Sequence, residues 1–300
     1  MVAQPAALSP ARVWWSAVRP ATLAASVAPV LAATAVALHE GAVNAWVGIA
    51  ALIVALAVQL GVNFANDYSD FRRGADTAAR VGPVRAAASG VVAPELVRLA
   101  ALAAFALAGL FGLVLSLAVD WRLLFVGAAC LLAGWLYTGG PRPYGYLGLG
   151  ELFVFIFFGL VATCGTFYVE TRHVTPLAVL VGCGIGFLAT AILVLNNLRD
   201  IETDRAAAKR TLATLIGRQA TRHLLVALVG AAFAVPLLIV ITRLAPATAL
   251  TMYLALPIAW FPVRAAMEST QPRALIGALK QMAATELVYA LALAVGLVIQ

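Results

Sequence analysis

Nine uninterrupted apolar stretches leave this chain little choice of fold, because each is close to the roughly 20 residues an α-helix needs to cross about 30 Å of hydrocarbon. They cover, to within a few residues, 20–38, 43–65, 96–118, 121–138, 148–169, 174–195, 224–242, 245–263 and 282–299. They are rich in Ala and Leu and do not alternate polar with apolar residues, which excludes a membrane β-barrel. A soluble domain is excluded as well: 63% of the 300 residues are hydrophobic and 11% charged, where roughly a quarter charged is usual. The expected fold is all-α, a polytopic membrane protein built as a bundle of about nine transmembrane helices. One domain is expected over residues 1–300, with two pseudo-repeated halves at about 10–120 and 121–300, since the second and sixth spans both end in an Asn/Asp cluster.

The net charge of +7 would suit a nucleic-acid partner, but the basic residues divide by side of the membrane instead of forming an aromatic-interleaved patch. No nucleic acid is expected; the lipid bilayer is. With the N-terminus in the cytoplasm, 17 of the 20 Lys and Arg residues fall inside and only Arg122, Arg172 and Arg243 outside, a strong positive-inside bias. Met1–Ser9 has no basic n-region or evident cleavage site, so no removable signal peptide is expected. Cys130, Cys164 and Cys183 stand singly in apolar stretches and read as packing residues, not as disulfide or zinc partners.

Two polar connections on the cytoplasmic side, about 66–95 and 196–223, hold most of the acidic residues. On a helix Asn63, Asn66, Asp67 and Asp70 fall at i, i+3, i+4 and i+7, and Asn196, Asp200 and Asp204 at i, i+4 and i+8, so each set forms one stripe. Carboxylates crowded at the end of a span repel one another and are costly to desolvate, which calls for a cation. Oxygen ligands without His or Cys favour Mg2+, which usually completes its octahedron with water and phosphate oxygens. Arg72, Arg73, Arg85, Arg142, Arg199, Lys209 and Arg210 lie close in sequence to bind the remaining oxygens. The expected ligand is a diphosphate at the cytoplasmic surface, and because its remainder points into an apolar bundle, an isoprenoid tail suits it better than a nucleotide. No Walker loop is present. Such a site would stabilise a departing diphosphate, letting an allylic carbon–oxygen bond ionise in a dry chamber where Tyr137 and other aromatic faces meet the cation.

These residues resemble the UbiA-type intramembrane prenyltransferases, and more closely the branch that prenylates 1,4-dihydroxy-2-naphthoate in menaquinone synthesis. The likeness is carried by Asn66-Asp67-Tyr68-Ser69-Asp70 with Arg80 to Arg85 behind it, by the central loop from Tyr137 to Glu151, by Asn196-Asn197-Leu198-Arg199-Asp200 through Asp204, by Lys209-Arg210-Thr211, and by the opening Arg19-Pro20-Ala21-Thr22. It runs from about residue 18 to 217. The resemblance implies Mg2+ dependence, residence in the bacterial cytoplasmic (inner) membrane with the active site on the cytoplasmic side, and transfer from a polyprenyl diphosphate to the naphthoate ring with loss of the carboxyl group and of diphosphate, giving demethylmenaquinone. Asp67, Asp70, Asp200 and Asp204 are then the catalytic and metal-holding acids. Arg19, Asn63, Asn66, Arg72, Arg85, Tyr137, Arg142, Asn196, Asn197, Arg199, Lys209 and Arg210 bind substrate. Two departures stand out: the third acid, Asp76, falls beyond Gly74, and the usual Tyr-x-x-x-Lys is replaced by Pro141 and Arg142.

Within this class 4-hydroxybenzoate and homogentisate are alternative acceptors. From another class, a secondary transporter or cation channel also sets carboxylates among helices, but transporters place them near the bilayer midplane on broken helices, whereas both clusters here close the cytoplasmic ends of spans.

Overall fold

Proline, glycine and a few left-handed residues cut the chain into helices. The computed structural model describes residues 9–74 and 82–299; Asp76 and Arg80 lie outside them. Helix α1 (Pro10–Val18) is capped by Ser9 and ends at Arg19, whose φ of 53° breaks the ladder before Pro20 opens α2 (Pro20–His39). Then follow α3 (Ala45–Arg72), α4 (Pro94–Ala118), α5 (Leu123–Leu136), and α6 (Gly150–Val154) joined through a π-helical segment, Phe155–Val161, to α7 (Ala162–Thr171). Helices α8 (Pro176–Ala206) and α9 (Leu212–Ile241) precede a 3-10 stretch, Ala247–Ala255, which leads into α10 (Leu256–Glu268) and α11 (Ala274–Val298). Eight helical segments are long and apolar enough to cross a membrane, and α5 is a shorter apolar helix. All nine expected stretches therefore coincide with helix. The eighth, 245–263, begins in tighter 3-10 geometry after Pro246, and Pro257 in the first turn of α10 lacks the N–H that an α-helical bond back to Tyr253 would need.

Of the two stretches expected as polar connections, 196–223 turns out to be largely helical, which is a correction, whereas in the first only 66–72 and 94–95 are helix among the described residues. Helix α3 carries on to Arg72, α8 spans 31 residues, and α9 starts at Leu212 with a kink at Gly217 (φ 82°) before its long run to Ile241. At 1.5 Å per residue α8 is about 46 Å long, so its last turns project beyond the hydrocarbon and carry the second acidic stripe with them. Nothing interrupts the backbone ladder until Gly74 (φ 69°) and Ala208 (φ 54°), where the left-handed conformation ends each helix.

The main core joins α2, α8, α9 and α11 around Leu188, Leu195, Phe233, Met282 and Tyr289. A smaller cluster of Val13, Ala17, Phe64, Ala86, Ala87 and Val97 seats the 82–93 segment on α1 and the C-terminal end of α3. Helix α8 approaches the π-helical segment backbone to backbone. A Cβ on Gly159 would lie 2.4 Å from Gly186 Cα and 2.8 Å from the Gly182 carbonyl, so only glycine permits this contact, a device common between membrane helices.

Candidate active site

A cavity of about 1080 Å³ lies among α2, α3, α4, α5, the π-helical segment and α8. Along α3 its wall runs from Ala51 to Asp70, a rise of about 28 Å. The deep part is apolar, lined by Val54, Val58, Leu113, Leu124, Phe157 and Val161, while Arg19, Asn63, Asn66, Asp70, Arg85, Tyr137, Asn196, Asn197, Arg199 and Lys209 line the polar end.

The first acidic stripe is wired to distant segments. Asp67 is fully buried, and its two carboxylate oxygens accept the backbone N–H groups of Ala86 (2.8 Å) and Ala87 (3.0 Å). Asp70 accepts from Arg85 Nη2 at 2.9 Å and from the Tyr146 hydroxyl at 2.7 Å, and Lys209 Nζ stands 3.9 Å away. Asn66 accepts from the Thr138 hydroxyl at 2.6 Å. Asn63 donates to the Val18 carbonyl and Thr22 Oγ1 and accepts from Gln59, which pins the α1–α2 break against α3.

Among the described residues, the contacts of the second stripe lie largely within its own helix. Arg199, 4% exposed, donates to Asp200 through Nε at 2.7 Å and to Asn196 Oδ1 at 2.9 Å. Asn197 reaches out of α8 to donate to Glu151 Oε1 at 2.9 Å.

The two stripes meet. Lys209, three residues beyond α8, lies over the Tyr146 ring at 5.0 Å while facing Asp70, and Asp70 and Asp204 are both electrostatic neighbours of Tyr146. Burial, reinforced by the charge of Asp70 and the hydrogen bond to it, holds the Tyr146 phenol above its ordinary pKa, so it stays a donor. An isolated backbone bridge between Leu147 and Arg210 ties the central loop to the segment after α8.

Among the residues expected at the site, Arg72, Arg142 and Arg210 are exposed and outside the cavity lining. Asp67, Asp200 and Asp204 are buried and outside that lining, whereas Asp70 forms part of it. Arg73, near Tyr146, donates to the Gly140 carbonyl. Thr138, Tyr146 and Glu151 were not among the expected site residues, although all three stand in the Gly- and Pro-rich central loop or at its end. Gln59 was missed too, but it extends the first stripe one turn inward at i−4 from Asn63.

The donor set suits Mg2+ and a diphosphate. Four carboxylates, Asp67, Asp70, Asp200 and Asp204, stand among the cations Arg19, Arg85, Arg199 and Lys209, all with hard oxygen or nitrogen chemistry. Among the described residues no three acidic, His or Cys side chains are grouped so as to hold a metal ion.

Known proteins share this sequence and fold. The chain is 42% identical over 281 residues to the 1,4-dihydroxy-2-naphthoate octaprenyltransferase of Mycobacterium tuberculosis, covering 94% of this chain and 95% of that one. It is 33% identical to the Bacillus subtilis enzyme of the same name, over 96% and 93%. Its fold matches a UbiA homolog from Aeropyrum pernix K1 with a TM-score of 0.66 at 15% identity, over 96% and 98% of the two chains. It also matches a UbiA homolog from Archaeoglobus fulgidus, bound to DMAPP and Mg2+, with a TM-score of 0.61 at 14% identity, over 94% and 99%. Residues 26–283 match the UbiA prenyltransferase family, and the chain belongs to it.

Proposed function

We propose that this enzyme transfers a polyprenyl group from a polyprenyl diphosphate to 1,4-dihydroxy-2-naphthoate, at the cytoplasmic side of a bacterial inner membrane. The observation that carries this reading is the union of two acidic stripes, with Arg85, Arg199 and Lys209 between them, at the polar end of a long apolar cavity. The cations and the Asn66 and Asn196 amides hold the diphosphate; the apolar wall from Ala51 to Val62 takes the tail. Asp67, Asp70, Asp200 and Asp204 would hold Mg2+, which when bound supplies the positive charge that stabilises the leaving diphosphate.

The chain's own residues do the rest. The buried cations favour breaking of the allylic carbon–oxygen bond, whose electron pair leaves with the diphosphate. The apolar wall keeps water from the allylic cation, and the Tyr137 ring borders its path. The naphthoate ring carbon that bears the carboxylate donates the electron pair of the new carbon–carbon bond, and the carboxylate departs as carbon dioxide, leaving its bonding pair to restore the aromatic ring. The product is the reduced, naphthalenediol form of demethylmenaquinone. The naming of the Mycobacterium tuberculosis and Bacillus subtilis relatives supports this acceptor over 4-hydroxybenzoate or homogentisate.

The test is direct. Purified protein supplied with Mg2+, polyprenyl diphosphate and each of the three aromatic acids should release diphosphate and form a prenylated, decarboxylated product with the naphthoate alone. Equal turnover of 4-hydroxybenzoate would overturn the acceptor, and ligand movement into sealed vesicles without covalent product would overturn the enzyme.

A further inference from the structure

Asn196 and Asn197 are neighbours on α8 and both line the cavity, yet their partners lock the two amides in opposite senses. A guanidinium has donors only, so the atom of Asn196 facing Arg199 Nη2 is its oxygen, and the amide nitrogen is the atom left over. A carboxylate has acceptors only, so the atom of Asn197 facing Glu151 Oε1 is its nitrogen, and the carbonyl oxygen is turned the other way. Asn196 therefore offers N–H groups, suited to phosphate oxygens. Asn197 offers a hydrogen-bond acceptor, which an anionic diphosphate would repel and a hydroxyl would seek.

Glu151 is an unusual residue to spend on this. It is 7% exposed, at the start of α6, and its Oε2 is buried without a hydrogen bond among the described residues. A carboxylate buried for one side-chain hydrogen bond costs more in desolvation than that bond returns, so it is poorly explained as a stabilising device. Its neighbour Gly150 packs against Tyr137, where a Cβ would stand 3.4 Å from the ring. The Glu151–Asn197 pair thus sits beside the aromatic wall of the cavity.

We infer that Glu151 is a positioning residue: it holds Asn197 with its carbonyl oxygen toward the cavity, where that oxygen accepts a hydrogen bond from a ring hydroxyl of the aromatic acceptor. This rests on the functional reading above and adds to it the group that tells a dihydroxy acceptor from one lacking a hydroxyl.

Equilibrium binding separates the two claims. The intrinsic fluorescence of 1,4-dihydroxy-2-naphthoate, 1-hydroxy-2-naphthoate and 4-hydroxy-2-naphthoate gives a Kd for each on the purified full chain, without needing turnover. The dihydroxy compound should bind about tenfold more tightly than one of the two monohydroxy compounds, the worth of one hydrogen bond. Glu151→Leu should bring that ratio to within about twofold of unity, whereas Glu151→Gln, whose side-chain oxygen still accepts from Asn197, should keep it. Asn197→Ala should collapse the ratio as Glu151→Leu does, and serves in its place if the leucine variant does not fold. In all variants the KM for polyprenyl diphosphate should stay within about threefold. Equal binding of all three naphthoates to the unmodified protein, an intact ratio in Glu151→Leu or Asn197→Ala, or a collapsed ratio in Glu151→Gln would overturn the role of Glu151. Binding of none of the three would overturn the functional reading itself.

Discussion

The two acidic stripes have similar sequences and different mechanical roles. In the first, Asp67 fastens the 82–93 segment through two backbone amides, and Asp70 gathers Arg85, Tyr146 and Lys209 from three separate segments. In the second, Asp200 is bound to its chain neighbour Arg199, which also reaches Asn196 on the same helix. Among the described contacts, the first stripe draws three other segments around it, while those of the second lie mostly within α8. A substitution in the first should therefore damage both architecture and chemistry, and one in the second mainly chemistry.

Asp67→Asn should give the largest effect. Its amide group must turn one N–H toward a backbone N–H, so turnover should fall by about a thousandfold and stability by about 1–3 kcal/mol. Hydrogen exchange at Ala86 and Ala87 should quicken, which mass spectrometry of the 82–93 segment reads. Asp200→Asn should lose about a hundredfold in turnover with exchange in that segment unchanged; equal loosening in both variants would erase the contrast. Lys209→Met, at the meeting point of the stripes, should raise the KM for polyprenyl diphosphate by about tenfold and leave kcat within threefold, since its charge acts on binding.

Tyr146→Phe should cost a few-fold in kcat/KM, for it removes one donor to Asp70. Because Tyr146 titrates above the usual 10.0, the alkaline limb of the pH profile should be the same in both proteins, and a shifted limb would assign Tyr146 a proton-transfer role. The smallest effect is expected at the opposite end of the bundle. Asp120, in the turn between α4 and α5, accepts from the Tyr168 hydroxyl and the Arg122 amide, which lower its pKa from 3.8. A lowered folded pKa stabilises above the unfolded value and is lost as pH falls through the folded one. Asp120→Asn should thus leave turnover unchanged and reduce Tm slightly at neutral pH, with the difference shrinking below about pH 3.8.

Much of this was legible in the sequence, and for a physical reason. Length and continuity of apolar runs decide whether a segment spans a bilayer, and helical spacing decides that Asn63, Asn66, Asp67 and Asp70 share a face; neither depends on distant partners. The long-range wiring was not legible. Nothing local says that Asp67 will meet the amides of Ala86 and Ala87, that Tyr146 will reach Asp70 across 76 positions, or that Glu151 will find Asn197. Those pairings follow from how the central loop folds back over the ends of α3 and α8. Polar composition suggests a connection from residue 196, but no helix-breaking residue stands before Ala208, so α8 extends to Ala206.

The glycine contact between the π-helical segment and α8 has a consequence for mutational tolerance. Gly159 and Gly186 meet each other's backbone and apolar neighbours, yet a single methyl at either would wedge apart the two backbones on which Glu151 and Asn197 ride. Catalysis in this protein is therefore vulnerable at two positions that a survey of reactive side chains would pass over.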